Sequence, residues 1–297
     1  MDKLKLALGP MRPPFLLLTP ACVLLGVASA HWTAGQIQWG DALIVLVGAL
    51  GTHISVNAFN EYFDFKSGLD DRTQRTPFSG GSGTLQAHPE MASTALLTAV
   101  VALVVSALVG FYFVIQTGWG LLPLGLLGLV IIYIYTSWLT RFPILTLIAP
   151  GLGFGTFMVM GTDYALSGTY TWTSFFASLV PFFLVSNLLL LNQFPDVEAD
   201  ESVGRKHYPI TLGRQASGRI YLAFLYLAFV SVIVGVLIRV LPVPALLGLL
   251  ALVLAIPITR GVLAYAEEIP QLMPSLGQNV IINLIMPVLV AVGLFLG

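Results

Sequence analysis

The residues best suited to chemistry are two acidic runs, each closing a long apolar stretch. The first is Asn60-Glu61-Tyr62-Phe63-Asp64, followed by Asp70 and Asp71. The second is Asn192-Gln193-Phe194-Pro195-Asp196, followed by Asp200. Both contain Asn-x3-Asp, with a further Asp four or six residues on. A spacing of four predicts Asn60 beside Asp64 on one helical face, and Asn192, Asp196 and Asp200 together on another. Carboxylates gathered at the end of a membrane helix are costly unless a cation sits among them. Hard oxygen donors suit Mg²⁺, which takes one or two carboxylates together with substrate phosphates. In so apolar a chain, that pairing points to a diphosphate with a greasy tail.

Basic side chains accompany each run. Lys66, Arg72 and Arg75 follow the first, and Arg205 and Lys206 follow Gly204 after the second. Either group could neutralise phosphate, Arg as a fork and Lys as a point charge. Polar loops with charges of both signs explain the bases but not the carboxylates. Asn57 and Asn60 lie within or at the end of an apolar helix, where an unpaired amide is expensive. Ser79-Gly80-Gly81-Ser82-Gly83-Thr84 can offer backbone N–H groups to an anion or serve as a flexible link. Tyr133, Tyr135, Trp138 and Arg141 fit an interfacial aromatic belt. The alternative is an aromatic wall facing an allylic cation, which would place Tyr135 and Arg141 at the substrate. Asp163 is expected at the outer interface. His53 is a candidate for helix–helix hydrogen bonding or acceptor contact. His31, His53, His88 and His207 show no zinc spacing.

These groups must be positioned by membrane segments. The chain is 57% hydrophobic and 9% charged, with a mean hydropathy of +0.91, against about 25% charged residues in soluble domains. A single cysteine, Cys22, excludes an internal disulfide and a cysteine metal site. A net charge of -1 gives no reason to expect a nucleic-acid partner. No cleavable signal peptide is expected in the short, mildly basic start from Met1 to Leu8. Apolar segments predict nine spans, at about 13–32, 39–60, 92–115, 119–138, 144–167, 173–192, 217–239, 242–262 and 277–296. The expected fold is all-α, a bundle of nine transmembrane helices around a central cavity in one domain over 1–297. With the N-terminus in the cytoplasm, all basic residues but Arg239 fall on one face, including Lys3, Lys5 and Arg12, as the positive-inside rule requires. The active site is then expected at the cytoplasmic face of the inner membrane. The motifs recur 132 residues apart, after even-numbered spans, which suggests two related halves, about 1–138 and 139–297.

With those residues in view, the chain resembles the UbiA superfamily of intramembrane aromatic prenyltransferases over nearly its whole length. Asn60 through Asp70 resembles the family's first motif, in a form similar to the 1,4-dihydroxy-2-naphthoate prenyltransferases of menaquinone synthesis. Asn192 through Asp200 resembles the second, and Gly204-Arg205-Lys206 through Thr211-Leu212-Gly213-Arg214 its basic tail. The stretch from Phe154-Gly155 to Met160-Gly161-Thr162, with Ser167-Gly168 and Trp172, also resembles the naphthoate branch. Two departures stand out: Glu61 replaces the commoner Asp, and Gly-Arg-Lys-His replaces Gly-Lys-Arg-Thr. The resemblance implies a polyprenyl diphosphate, an aromatic acceptor and Mg²⁺, with Asp64, Asp70, Asp196 and Asp200 catalytic. It places metal on these four with Asn60 and Asn192, and substrate on Asn57, Lys66, Arg72, Arg75, Arg205 and Lys206. Other acceptors of the family, 4-hydroxybenzoate, homogentisate or a glyceryl lipid, remain open. A secondary transporter fits less well, since the charges gather at one face rather than in broken helices.

Overall fold

The computed structural model describes residues 3–78 and 80–297. Ser79, at the head of the glycine-rich run, and the side chains of Lys3 and Lys5 lie outside the described ones. The described residues are helices and connecting turns, with no strand. Among the described residues, eight helices are long and apolar enough to cross a membrane: α1 (Pro13–Ala34), α2 (Trp39–Ser67), α3 (Pro89–Thr117), α5 (Pro143–Ser167), α6 (Trp172–Asn192), α7 (Arg214–Leu237), α8 (Val243–Tyr265) and α9 (Ile269–Leu296). Between them lies α4 (Leu121–Ile134), equally apolar but only 14 residues long. At 1.5 Å per residue it reaches about 21 Å, short of the roughly 30 Å of a hydrocarbon core. The fourth expected span is therefore a shorter helix, because the chain leaves the helix in a turn from Tyr135.

Along the bundle α2 packs on α3, α6 on α7, α1 on α5 and α9, and α9 also on the start of α8. The main core centres on α6, with Val180, Leu184, Val185 and Leu191 fully buried against α7, α8 and α9. Large apolar residues such as Leu97, Leu108 and Ile115 on α3 are exposed, as suits a surface that faces lipid.

Local rules set where the site begins. Helix α2 runs on through Phe65 and ends at Gly68, whose φ of 69° only glycine adopts without cost. The N–H groups of Gly68 and Leu69 bond back to Phe65 O and Asp64 O at 3.1 Å, closing the helix. Asn60 and Asp64 thus stay on the last turns of α2, while Asp70 lies just beyond the cap. In the second motif, α6 ends at Asn192 and the chain turns through Pro195 before the short helix Val197–Ser202. The expectation of one continuous face for Asn192, Asp196 and Asp200 is not met, because Pro195 cannot continue the helix.

Helix α5 widens to a π-turn at Leu152–Phe157, just after Pro150. Proline lacks the N–H that would keep the regular ladder in register. Gly151 and Gly155 bring this turn against the backbone of α6. A Cβ at Gly155 would stand 2.4 Å from Phe182 N, and one at Gly151 2.2 Å from Phe182 O. At the opposite end of α5, Asp163 is fully buried rather than at an exposed interface. Its Oδ2 accepts a 3.0 Å bond from Thr171 Oγ1, the hydroxyl that also caps α6 by accepting from Ser174 N.

These contacts yield a stability test. Gly155→Val forces a side chain into the α6 backbone and should cost about 3 kcal/mol, read as a lower thermal midpoint in detergent. Gly153→Ala, with no atom within 4 Å of the added Cβ, should leave the midpoint unchanged. Equal midpoints for the two variants would show that the α5–α6 approach is not close.

Candidate active site

One cavity of about 800 Å³ opens among α1 to α6 and α9. Its deeper wall is apolar, with Phe154 and Phe157 of the π-turn and Leu122 and Leu129 of α4. Its mouth is polar. Of the residues singled out in the sequence, Asn57, Asn60, Asp64, Asp70, Tyr135, Asn192, Asp196, Asp200 and Arg205 all reach this wall.

The two motifs meet through Arg205. Its guanidinium donates to Asp64 Oδ1 and, at 2.8 Å, to Asp200 Oδ1. Asp64 belongs to the first motif and Asp200 to the second, so one side chain ties together carboxylates from opposite walls. Asp200 receives a second bond, from His207 Nε2 at 2.9 Å. Burial alone would raise the Asp200 carboxyl, but His207 and Arg205 hold it below the ordinary value. Burial likewise works against the charge on Arg205, yet Asp64 and Asp200 keep it firmly protonated. Asn60 Nδ2 donates to Asp64 Oδ2 at 2.9 Å, the face-sharing that the spacing of four predicts.

A second cluster holds the entrance. Glu61 is fully buried, yet accepts from Arg12 Nε at 2.7 Å, from Ser82 N at 2.6 Å and from Ser82 Oγ at 2.8 Å. Arg12 also donates to Asn60 Oδ1 at 2.9 Å. Gly81 passes so close that a Cβ there would meet Glu61 Oε1 at 3.1 Å. Asn57 Nδ2 donates to Met11 O at 3.0 Å, anchoring the same N-terminal segment. Deeper in, His53 and Thr19 Oγ1 share a 2.8 Å hydrogen bond between α2 and α1, and His53 packs edge-on against Phe154.

The remaining basic residues do not reach the cavity wall. Lys66 is exposed above the Tyr62 ring, 5.8 Å from its centroid. Arg72 donates to Ser202 Oγ at 3.1 Å, linking the two polar loops from outside. Arg75 donates to Ser82 O at 2.6 Å and braces the glycine-rich run. Arg141 and Lys206 point to solvent, while the Lys206 N–H bonds Thr140 O at 2.8 Å. The aromatic group near α4 divides: Tyr133 and Trp138 are exposed like a belt, and Tyr135 turns into the cavity. Sequence reasoning passed over Arg12, which entered only as a positive-inside charge. It also passed over His207, whose spacing matches no metal pattern but which directly follows the Arg205-Lys206 pair.

A divalent cation fits the donor set. Every candidate ligand offers oxygen, the preference of Mg²⁺. Asp70 Oδ2 and Asn192 Oδ1 are buried without a hydrogen-bond partner among the described residues. Burial, then the charges of Asp64 and Glu61, push the Asp70 carboxyl up to about 7; by count, Glu61, Asp64, Asp70 and Asp200 outnumber the guanidiniums of Arg12 and Arg205 among them. No three acidic, His or Cys side chains among the described residues already cluster as a complete ion cage.

Comparison with known proteins agrees with this geometry. Residues 17–271 match the UbiA prenyltransferase family. The chain is similar to the 1,4-dihydroxy-2-naphthoate octaprenyltransferase of Bacillus subtilis (strain 168), at 28% identity over 225 residues, covering 75% of this chain and 70% of that one. Among solved structures it is similar to an apo UbiA homologue from Aeropyrum pernix K1, with a TM-score of 0.72 and 19% identity over 96% of this chain and 98% of the other. A UbiA homologue from Archaeoglobus fulgidus bound to DMAPP and Mg²⁺ matches with a TM-score of 0.60 and 16% identity, covering 97% and 98%. At these identities the two structures speak to the fold.

The Arg12–Glu61 pair predicts a non-additive pair of variants. Arg12→Leu strands a buried carboxylate and should cost about 3 kcal/mol. Adding Glu61→Gln should recover much of that loss, read as thermal midpoints of the purified proteins. A double variant less stable than Arg12→Leu would contradict the pairing.

Proposed function

Because the chain belongs to the UbiA prenyltransferase family and is a multi-span membrane prenyltransferase, we propose that it transfers a polyprenyl group from polyprenyl diphosphate to 1,4-dihydroxy-2-naphthoate in quinone synthesis. The observation that carries this reading is Arg205, held between Asp64 and Asp200 at the mouth of an apolar cavity. Charged groups that suit a diphosphate stand at one end, and an apolar space that suits its tail lies behind them.

Each part of the site then has a role. Asn60, Asp64, Asp70, Asn192, Asp196 and Asp200 would hold Mg²⁺, which would supply positive charge and make diphosphate a better leaving group. Arg205 and Arg12 stand at the same mouth and take up negative charge as the C–O bond of the prenyl diphosphate breaks. Asp200 is held ionised by His207 and Arg205, which engage one lone pair on each of its oxygens, and a cation would share the remaining ones. The cavity's apolar wall excludes water, which would otherwise capture the allylic cation. The Tyr135 ring at that wall offers its π-face to the same positive charge. A ring carbon of the acceptor forms the new C–C bond, diphosphate departs, and for the naphthoate the ring carboxyl leaves as CO₂. Lys66, Arg72, Arg75, Arg141 and Lys206 steer anionic substrate toward the mouth from outside or brace its loops. We place the site at the cytoplasmic face of the inner membrane, on the strength of the basic residues that share the motif loops.

The test is prenyl transfer by purified protein in Mg²⁺, with the product identified by mass. Asp64→Asn and Asp196→Asn should each lower kcat at least about a hundredfold, on the scale of losing one electrostatic contact to a developing charge. Wild-type turnover by both variants would rule out the metal assignment. Prenylation of 4-hydroxybenzoate or a glyceryl lipid in place of the naphthoate would replace the acceptor and leave the mechanism standing.

A further inference from the structure

A chain of polar side chains crosses α6, α7 and α9 inside the membrane-spanning part of the bundle, apart from the two acidic motifs. Asn187 Nδ2 donates to Tyr221 O at 2.7 Å, and Tyr221 OH donates to Asn279 Oδ1 at 2.9 Å. Asn283 Nδ2 donates to Asn279 O at 2.8 Å and lies 3.4 Å from Asn279 Oδ1. All four residues are at most 1% exposed. Three amides and a phenol at this depth are expensive in an apolar setting. Packing the helices does not require them, since the neighbouring core positions are leucine, isoleucine and valine.

The last member of the chain differs from the others. Asn283 lines the cavity, and its Oδ1 has no hydrogen-bond partner among the described residues. Asn187 Oδ1 and Asn279 Nδ2 are also unpaired, but neither residue is on the cavity wall. The orientation of the Asn283 amide is fixed chemically. Its nitrogen faces two carbonyl oxygens of Asn279, so the atom left over is an acceptor and nothing else. Leaving such a buried atom unpaired is unfavourable, and a ligand with a hydrogen to donate would recover the loss.

That requirement separates the two substrates. Ionised diphosphate oxygens accept hydrogen bonds, and a prenyl tail has no polar hydrogen. A hydroxyl on an aromatic ring donates. Asn187 precedes Asn192 by five residues, so the network begins about 7.5 Å along α6 from the second acidic motif, on the tail side of the diphosphate. We propose that Asn283 Oδ1 accepts a hydrogen bond from a ring hydroxyl of the aromatic acceptor, and that the Asn187–Tyr221–Asn279 chain holds it in that orientation. Asn283 is thereby a positioning and specificity residue for hydroxylated rings. The inference rests on the aromatic acceptor proposed above and adds the group that binds it.

The test is equilibrium binding to the full-length protein in lipid nanodiscs, in EDTA and without prenyl diphosphate, so that turnover plays no part. The probes are 1,4-dihydroxy-2-naphthoate, kept anaerobic, and its dimethyl ether. Wild type should bind the diol about tenfold more tightly than the ether, a difference on the scale of one buried hydrogen bond. Asn283→Leu should bind both probes alike, with its affinity for prenyl diphosphate in Mg²⁺ unchanged. Equal affinities of wild type for diol and ether would overturn the proposal without recourse to any variant. So would an Asn283→Leu protein that still prefers the diol. If wild type prenylates the diol yet fails to discriminate in binding, only the role of Asn283 falls. If it binds prenyl diphosphate but neither ring, the naphthoate reading falls with it.

Discussion

Carboxylates cannot be crowded at the end of a membrane helix without positive charge among them, and the site is arranged around that constraint. Two guanidiniums meet part of it. Arg205 joins Asp64 to Asp200, and Arg12 joins Glu61 to Asn60. Arg205 and Asp64, like Arg12 and Glu61, come from segments far apart in the chain, so electrostatic balance is itself a tertiary tie. Removing either partner leaves an uncompensated charge in a region with little water. The balance is incomplete, since Glu61, Asp64, Asp70 and Asp200 share only these two guanidiniums. The deficit is of the kind a divalent cation and its bound anion complete together.

The scaffold places an apolar space directly behind this charge. The π-turn in α5 follows from Pro150 and lets Gly151 and Gly155 approach α6, while Phe154 and Phe157 line the cavity. A low-dielectric wall beside the charged mouth strengthens every interaction there. It also makes each unpaired polar atom conspicuous, which is why Asn283 carries weight that a surface asparagine would not.

Much of this was legible in the residues alone. Hydropathy placed the helices, the fourth of them shorter than expected, and a spacing of four placed Asn60 beside Asp64, because α2 continues unbroken to its glycine cap. The same rule failed in the second motif, where Pro195 ends the helix, yet Asn192, Asp196 and Asp200 still reach one cavity. Tertiary folding gathered them there, and periodicity could not have shown it. Glu198 is exposed and paired with Arg214 at 2.9 Å. Arg12 and His207 were hidden for a common reason. Their partners, Glu61 and Asp200, follow no local pattern with them, and a positive charge near a membrane looks ordinary until its partner is seen. Among the five basic residues near the motifs, only the fold distinguishes Arg205, which enters the cavity, from its neighbour Lys206, which does not.

The central claim is that oxygens from both motifs grip one diphosphate-bound metal cluster. Anomalous scattering from Mn²⁺, substituted for Mg²⁺ in crystals grown with an unreactive prenyl diphosphate analogue, tests it most directly. The account predicts metal density at the cavity mouth, bonded to Asp64 or Asp70 on one side and to Asp196 or Asp200 on the other, with diphosphate oxygens between. Metal confined to one motif, or found away from the mouth with the analogue bound, would contradict it.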